Sequence, residues 1–236
     1  MAKFVLVHGA FQGGWVWREL AGLLCAQGHE VHRPTLSGCG YLSGRQPEPE
    51  GLQAYIADIK NYMEIEDLED IVLVAHSFSG MICSALIMQL PQRIGQAVFV
   101  DAVIPEPNLS FAGVAGENFQ TMLKKHCMED GNVRPWPAPV FGVAGPEAQG
   151  FESRLRPFPH EAFVTPFPGA FDPGAVKTAY ITCRQTPTPF IRETAGKAES
   201  YGWPVFQIDS GHCPMISCPE ELSRMLITAS GGETLP

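Results

Sequence analysis

The chain has 236 residues, 45% of them hydrophobic and 17% charged, which is enough to bury a large core and, as an α/β fold, fits one domain. A net charge of −9 with no cluster of Lys and Arg argues against nucleic acid or an anionic membrane as a partner. No apolar run reaches the roughly 18 residues of a membrane span, and Met1-Ala2-Lys3 leads straight into a strand without a signal peptide, so a cytoplasmic location is expected.

In chain order, Phe4-Val5-Leu6-Val7 predicts a first strand, and a helix pattern follows over 15–27, closed by Gly28. A strand over 30–33 is stopped by Pro34, a polar loop rich in Gly and Pro spans 37–51, and apolar residues at helical spacing predict an amphipathic helix over 52–59. Four consecutive apolar residues, Ile71-Val72-Leu73-Val74, read as a strand buried on both faces, and 81–88 as a core helix ended by Pro91. Ala97-Val98-Phe99-Val100 is the next buried strand.

The order breaks over 103–176, a stretch crowded with Pro, Gly and Phe that shows only one or two short helices. An excursion of that length inside a compact domain is usually functional or disordered, and its aromatic content argues against disorder, so it reads as a lid inserted in the domain. The alternation resumes with a strand over 179–183, a helix near 190–201, a strand over 204–208 and a closing helix over 219–226, before a flexible tail at 230–236. Repeated strand–helix units with short connections imply a mostly parallel sheet covered by helices on both faces, an α/β fold. The seven cysteines are odd in number, scattered and without a Cys-x-x-Cys pair, so they read as reduced core residues and not as a metal site.

Ser77 stands where the buried strand must turn sharply into the core helix. A serine at such an elbow is held in a strained conformation with its hydroxyl raised from the sheet, and the residues two before and two after it must be small. Here these are Ala75 and Ser79 in place of the usual glycines, while Gly80 still allows close helix approach. The alternative at this window alone is a serine that caps the helix backbone.

Along nearly its whole length the chain resembles the α/β-hydrolase superfamily. Three segments carry the likeness: Val7-His8-Gly9-Ala10-Phe11 after the first strand, the Ser77 elbow, and Gly211-His212 after the last strand. The run 8–17 and the block 211–220 are most similar to the branch that holds small plant methyl esterases, salicylate-binding esterases and hydroxynitrile lyases. The resemblance implies a serine hydrolase acting on small or medium apolar or aromatic carboxylic esters, without metal or organic cofactor.

In that frame His212 is the candidate general base, since a serine hydroxyl is a poor nucleophile until an imidazole takes its proton. His8 resembles the family's structural histidine, His76 beside the elbow reads as packed or hydrogen-bonded, and His29, His32, His126 and His160 read as ordinary histidines. In most relatives the acid follows the next-to-last strand, but 183–188 holds no carboxylate. Asp101, directly after the strand at 97–100, is the expected acid, with Asp209 as the runner-up that also reads as a turn former. By position, the oxyanion donors are the backbone N–H groups of Ala10 and Phe78. Phe11, Phe111 and Trp136 are expected to line an apolar pocket, although a lid aromatic equally serves to hold the lid down. A lid patch of this kind also suits contact with a second subunit, which leaves a homodimer open. Two other readings remain: a hydroxynitrile lyase, for which a lysine after the base and a glutamate before the serine are the usual signs and Cys213 and His76 stand instead, and a ligand-binding member of the fold without turnover.

Overall fold

The computed structural model describes residues 1–45 and 51–231. The tail expected at 230–236 therefore falls largely outside the described residues, as does the end of the loop expected at 37–51. The chain opens with β1 (Lys3–Val7), a 3-10 turn at Gly14–Trp17, α1 (Arg18–Ala26) and β2 (Glu30–His32). The helix expected over 15–27 thus starts as a 3-10 turn. At the first residue of that turn, Gly14, a Cβ would lie 2.2 Å from the carbonyl oxygen of Arg33, the residue just after β2, so only glycine lets the two segments pass this closely.

Next come α2 (Leu52–Ile65), β3 (Ile71–His76), α3 (Ser79–Gln89) and β4 (Ile94–Val100). The second helix outlasts its expected end at 59 because Ile59 and Met63 continue the buried stripe begun by Leu52, Tyr55 and Ile56. Every residue of β3 is buried, as is every residue of α3 from Ser79 to Ile87. A helix apolar on all sides belongs in the interior.

The excursion after β4 contains α4 (Phe111–His126), β5 (Asn132–Val133), α5 (Glu147–Glu152), β6 (Phe158–Pro159) and α6 (His160–Val164). It is more regular than the one or two short helices expected. Its α4 is broken at Gly116, whose φ of 80° and ψ of −178° interrupt the helical pattern that periodicity would follow. The frame resumes with β7 (Lys177–Cys183), α7 (Pro189–Ser200), β8 (Val205–Ile208), α8 (Pro214–Ser217) and α9 (Pro219–Ala229). The short α8, directly after the loop carrying His212, is absent from the expected elements.

Six strands form one sheet in the order β2-β1-β3-β4-β7-β8, every neighbouring pair parallel. The chain moves outward from β1 to β2 and then returns past β1 to β3. With right-handed crossovers that reversal places α1 and α2 on opposite faces. Accordingly α1 packs on α9, and α2 on α3. At such a switch point the loops beyond the carboxyl ends of the two adjacent strands diverge and leave a crevice, here between β1 and β3.

Cys39, Cys83, Cys183 and Cys213 are buried as expected of core residues, but Cys25 and Cys127 are exposed. The first lies in the last turn of α1 and the second caps α4, positions where apolar neighbours in sequence do not dictate burial. Among the described residues, no helix is long and apolar enough to cross a membrane.

Candidate functional site

The register of the sheet determines which residues meet at the crevice. Val7 pairs with Ala75, His76 with Val100, and Val100 with Ile181, so β1, β3, β4 and β7 end side by side. The residues that follow these ends are His8, Ser77 and Asp101.

Ser77 has φ 57°, in the left-handed region that a non-glycine residue occupies at a cost of roughly 1–2 kcal/mol. The conformation is held from several sides. The Ser77 carbonyl accepts from the N–H groups of Val103 at 3.1 Å and Gly80 at 3.2 Å. Ser79, standing where a glycine was expected, contributes a tie of its own: its Oγ accepts from the His76 N–H at 2.8 Å and lies 2.8 Å from the Val7 carbonyl oxygen. The hydroxyl thereby joins the elbow to β1. Gly80 is required for sterics, since a Cβ there would sit 1.9 Å from the Val103 carbonyl oxygen. On the other side, a Cβ on Gly9 would lie 2.9 Å from the Ser77 Cβ, so the loop after β1 passes directly against the elbow.

His212 reaches the same crevice from the loop after β8. Its Nδ1 lies 2.7 Å from Asp101 Oδ2, and both side chains are buried. The other carboxylate oxygen of Asp101 accepts from the Cys183 N–H at 3.0 Å. Asp101 also has positive φ, 46°, as does Phe11 at 68°, so three of the six described non-glycine residues with φ above zero lie at this crevice. Strain of this kind persists only where surroundings over-determine it, and it gathers at functional sites. Asp209 is exposed and its Oδ1 accepts instead from Gln185 Nε2 at 2.9 Å.

Ser77 is partly exposed, and it lines one cavity together with His212, Ala10 and Phe78. Among the described residues, neither the Ala10 nor the Phe78 backbone N–H donates to a protein acceptor. Phe11, Phe111 and Trp136 all line this cavity, and they also pack: Phe11 meets Trp136 edge-on at 4.7 Å and Phe78 meets Phe111 at 5.4 Å. Sequence reasoning missed much of the apolar wall, including Phe119, Met122, Val140, Phe163 and Phe190. Most come from the excursion, whose broken periodicity gave no face to assign.

Two buried histidines frame the site without touching solvent. His8 donates Nδ1–H to the Gly9 carbonyl at 2.8 Å and accepts the Leu36 N–H at Nε2, 3.1 Å away. A second proton would have to enter where Leu36 already donates, and burial pushes its pKa down to about 4. His76 lies against His212, ring centroids 4.8 Å apart, and its Nε2 is 2.8 Å from the His212 carbonyl oxygen. Burial, and then the neighbouring His212, hold His76 well below the usual histidine range, so it is neutral. Among the described residues, no three His, Cys, Asp or Glu side chains group so as to hold a metal ion.

Comparison with known proteins agrees with this frame. The profile of the alpha/beta hydrolase family matches residues 4–225. The carbendazim hydrolyzing esterase of Nocardioides sp. (strain SG-4G) is 32% identical over 242 residues, covering 96% of this chain and 98% of that protein. Polyneuridine aldehyde esterase of Rauvolfia serpentina is 28% identical, with 96% of this chain and 95% of that protein aligned. Among solved structures, an extracellular alpha/beta-hydrolase from a Paenibacillus species superposes with a TM-score of 0.85 at 20% identity, over 97% of this chain and 99% of that one.

Proposed function

The chain belongs to the α/β-hydrolase family, and from that premise we propose that it is a carboxylic ester hydrolase working through Ser77, His212 and Asp101 on small to medium apolar or aromatic esters. The observation that carries this reading is the 2.7 Å contact between His212 Nδ1 and Asp101 Oδ2, made at the rim of a cavity that the strained Ser77 also lines.

The chemistry follows from the protonation states. Asp101 accepts the Nδ1–H of His212, which leaves Nε2 as the lone-pair nitrogen able to take the Ser77 proton as Oγ attacks the ester carbonyl. The imidazolium that forms is stabilised by the buried carboxylate. Negative charge developing on the carbonyl oxygen falls to the Ala10 and Phe78 N–H groups, free of other acceptors and fixed before the reaction begins. His212 then protonates the departing alcohol, and a water deprotonated by His212 releases the carboxylic acid from Ser77. The residues 103–176 act as a lid whose aromatic side chains both close the pocket and anchor it, as the Arg156 N–H bond to the Phe11 carbonyl at 2.9 Å supports.

Against a cyanohydrin-cleaving lyase stand His76 and Cys213 at the two positions where such enzymes commonly carry charge. His76 is buried, neutral and engaged with the His212 carbonyl. The test is a burst of p-nitrophenol from p-nitrophenyl acetate, stoichiometric with protein and abolished in Ser77→Ala. Cyanide release from mandelonitrile with no ester cleavage would establish the lyase reading in its place.

A further inference from the structure

The cavity that holds Ser77 and His212 has a volume of about 50 Å³. That is room for only a few waters, at roughly 10–15 Å³ of accessible space each, and far below the roughly 300–1,000 Å³ of pockets that enclose a whole organic ligand. A second cavity of about 820 Å³ lies beside it, walled by α4 and by the segment entering α7. Five residues border both cavities: Phe119, Met122, Val140, Thr188 and Phe190. The two cavities adjoin along the line these five residues form, which offers a group too large for the inner cavity a way into the outer one.

Two aromatic rings dominate that line, and they come from different parts of the chain. Phe119 rides on α4, three residues beyond the break at Gly116, and Phe190 stands in the first turn of α7. Their rings meet edge to face at 5.9 Å, and each also packs on Phe111, at 5.1 and 5.6 Å. The excursion and the sheet frame thus each supply one side of the opening.

We infer that the Phe119–Phe190 ring pair is a size-selecting portal: the reacting carbonyl and the smaller ester group lie at Ser77, and the larger group extends between the rings into the outer cavity. The inference rests on the ester-hydrolase reading and adds the residues that set its specificity. A group wider than the gap must displace Phe190, which packs on two aromatic rings, or Phe119, which packs on four, so selectivity resides in width at this line and not in polar recognition, Thr188 being the one polar side chain on it.

The test compares kcat/KM for methyl 2-naphthoate, whose acyl group must cross the portal, with that for methyl acetate, which need not. Phe190→Ala removes one ring from a partly exposed position and is expected to raise the naphthoate-to-acetate ratio tenfold or more. Thr188→Phe narrows the line and is expected to lower the same ratio tenfold or more. Ratios within threefold of the native value in either variant, or changes shared equally by both esters, overturn the portal. If the native protein cleaves neither ester nor p-nitrophenyl acetate, the ester-hydrolase reading fails, and the portal with it.

Discussion

His76 donates its Nε2–H to the main-chain carbonyl of His212 at 2.8 Å, so the residue before the elbow serine holds the backbone of the histidine that lines the same cavity as that serine. The bond spans 136 positions of sequence and joins the ends of β3 and β8 across the sheet. His76→Leu leaves a buried carbonyl without a donor and is expected to cost about 1–3 kcal/mol, read as a lowered urea midpoint, together with a reduced kcat. His76→Gln keeps a donor at similar reach. It should recover part of both losses, and equal damage in the two variants would show that ring packing alone matters.

Asp101→Asn should lower the acylation rate by a factor on the order of 10³–10⁴, because an amide cannot hold the histidine in the required tautomer or stabilise its cation. Asp209→Asn, at an exposed carboxylate that meets only Gln185, should leave the rate within about twofold, the usual scale of effect at such surface sites. Burst kinetics with p-nitrophenyl acetate separate the two, and the reverse ranking would overturn the acid assignment.

The excursion touches the histidine loop at a pair of glycines. A Cβ on Gly142 would fall 2.7 Å from both Gly211 Cα and the His212 N, and Gly142 also has φ 67°. Gly142→Ala therefore carries both a clash and a left-handed strain, and a destabilisation of about 1–3 kcal/mol is expected. Because the displaced neighbour is the His212 backbone, activity should fall by more than denaturant midpoints explain. A control at Gly22, inside α1 where a Cβ would meet nothing within 4 Å, should leave activity unchanged and raise the midpoint slightly, since alanine favours a helix interior by about 0.5–1 kcal/mol.

Acid should destabilise the fold through His8. The unfolded chain takes up a proton near the ordinary 6.5, whereas the folded chain resists until about 4, so between these values the unfolded state binds more protons. Stability from this source is complete above pH 6.5 and is lost as pH falls through the window to 4, about 3 kcal/mol in all. His76, shifted the same way, adds to the loss. Thermal unfolding followed from pH 7 to 4 should show a falling Tm. His8→Gln should flatten the profile, and an unchanged slope would remove His8 as its source.

The alternation of strands and helices, the elbow at Ser77 and the position of His212 were all legible in the chain. Each is written locally: four apolar residues for a buried strand, small residues flanking a serine, a glycine before a histidine at a strand end. Even the absence of a carboxylate over 183–188 was readable and pointed to Asp101. What local pattern could not supply was anything that depends on two distant segments meeting. The helix break at Gly116 and the sites of Phe119 and Phe190 are examples, since the aromatic residues of the excursion follow no single period.

The sequence by itself determined the sheet frame and which residue types stand at the strand ends, because burial on two faces and a sharp turn impose composition directly. Only the tertiary structure decided that Asp101 and not Asp209 meets His212, that Ser79 replaces a glycine by tying the elbow to β1, and that His76 holds the histidine backbone. These are hydrogen bonds and close approaches between segments separated by 70 residues or more, and their geometry exists only once the parallel register has brought the strand ends into one row.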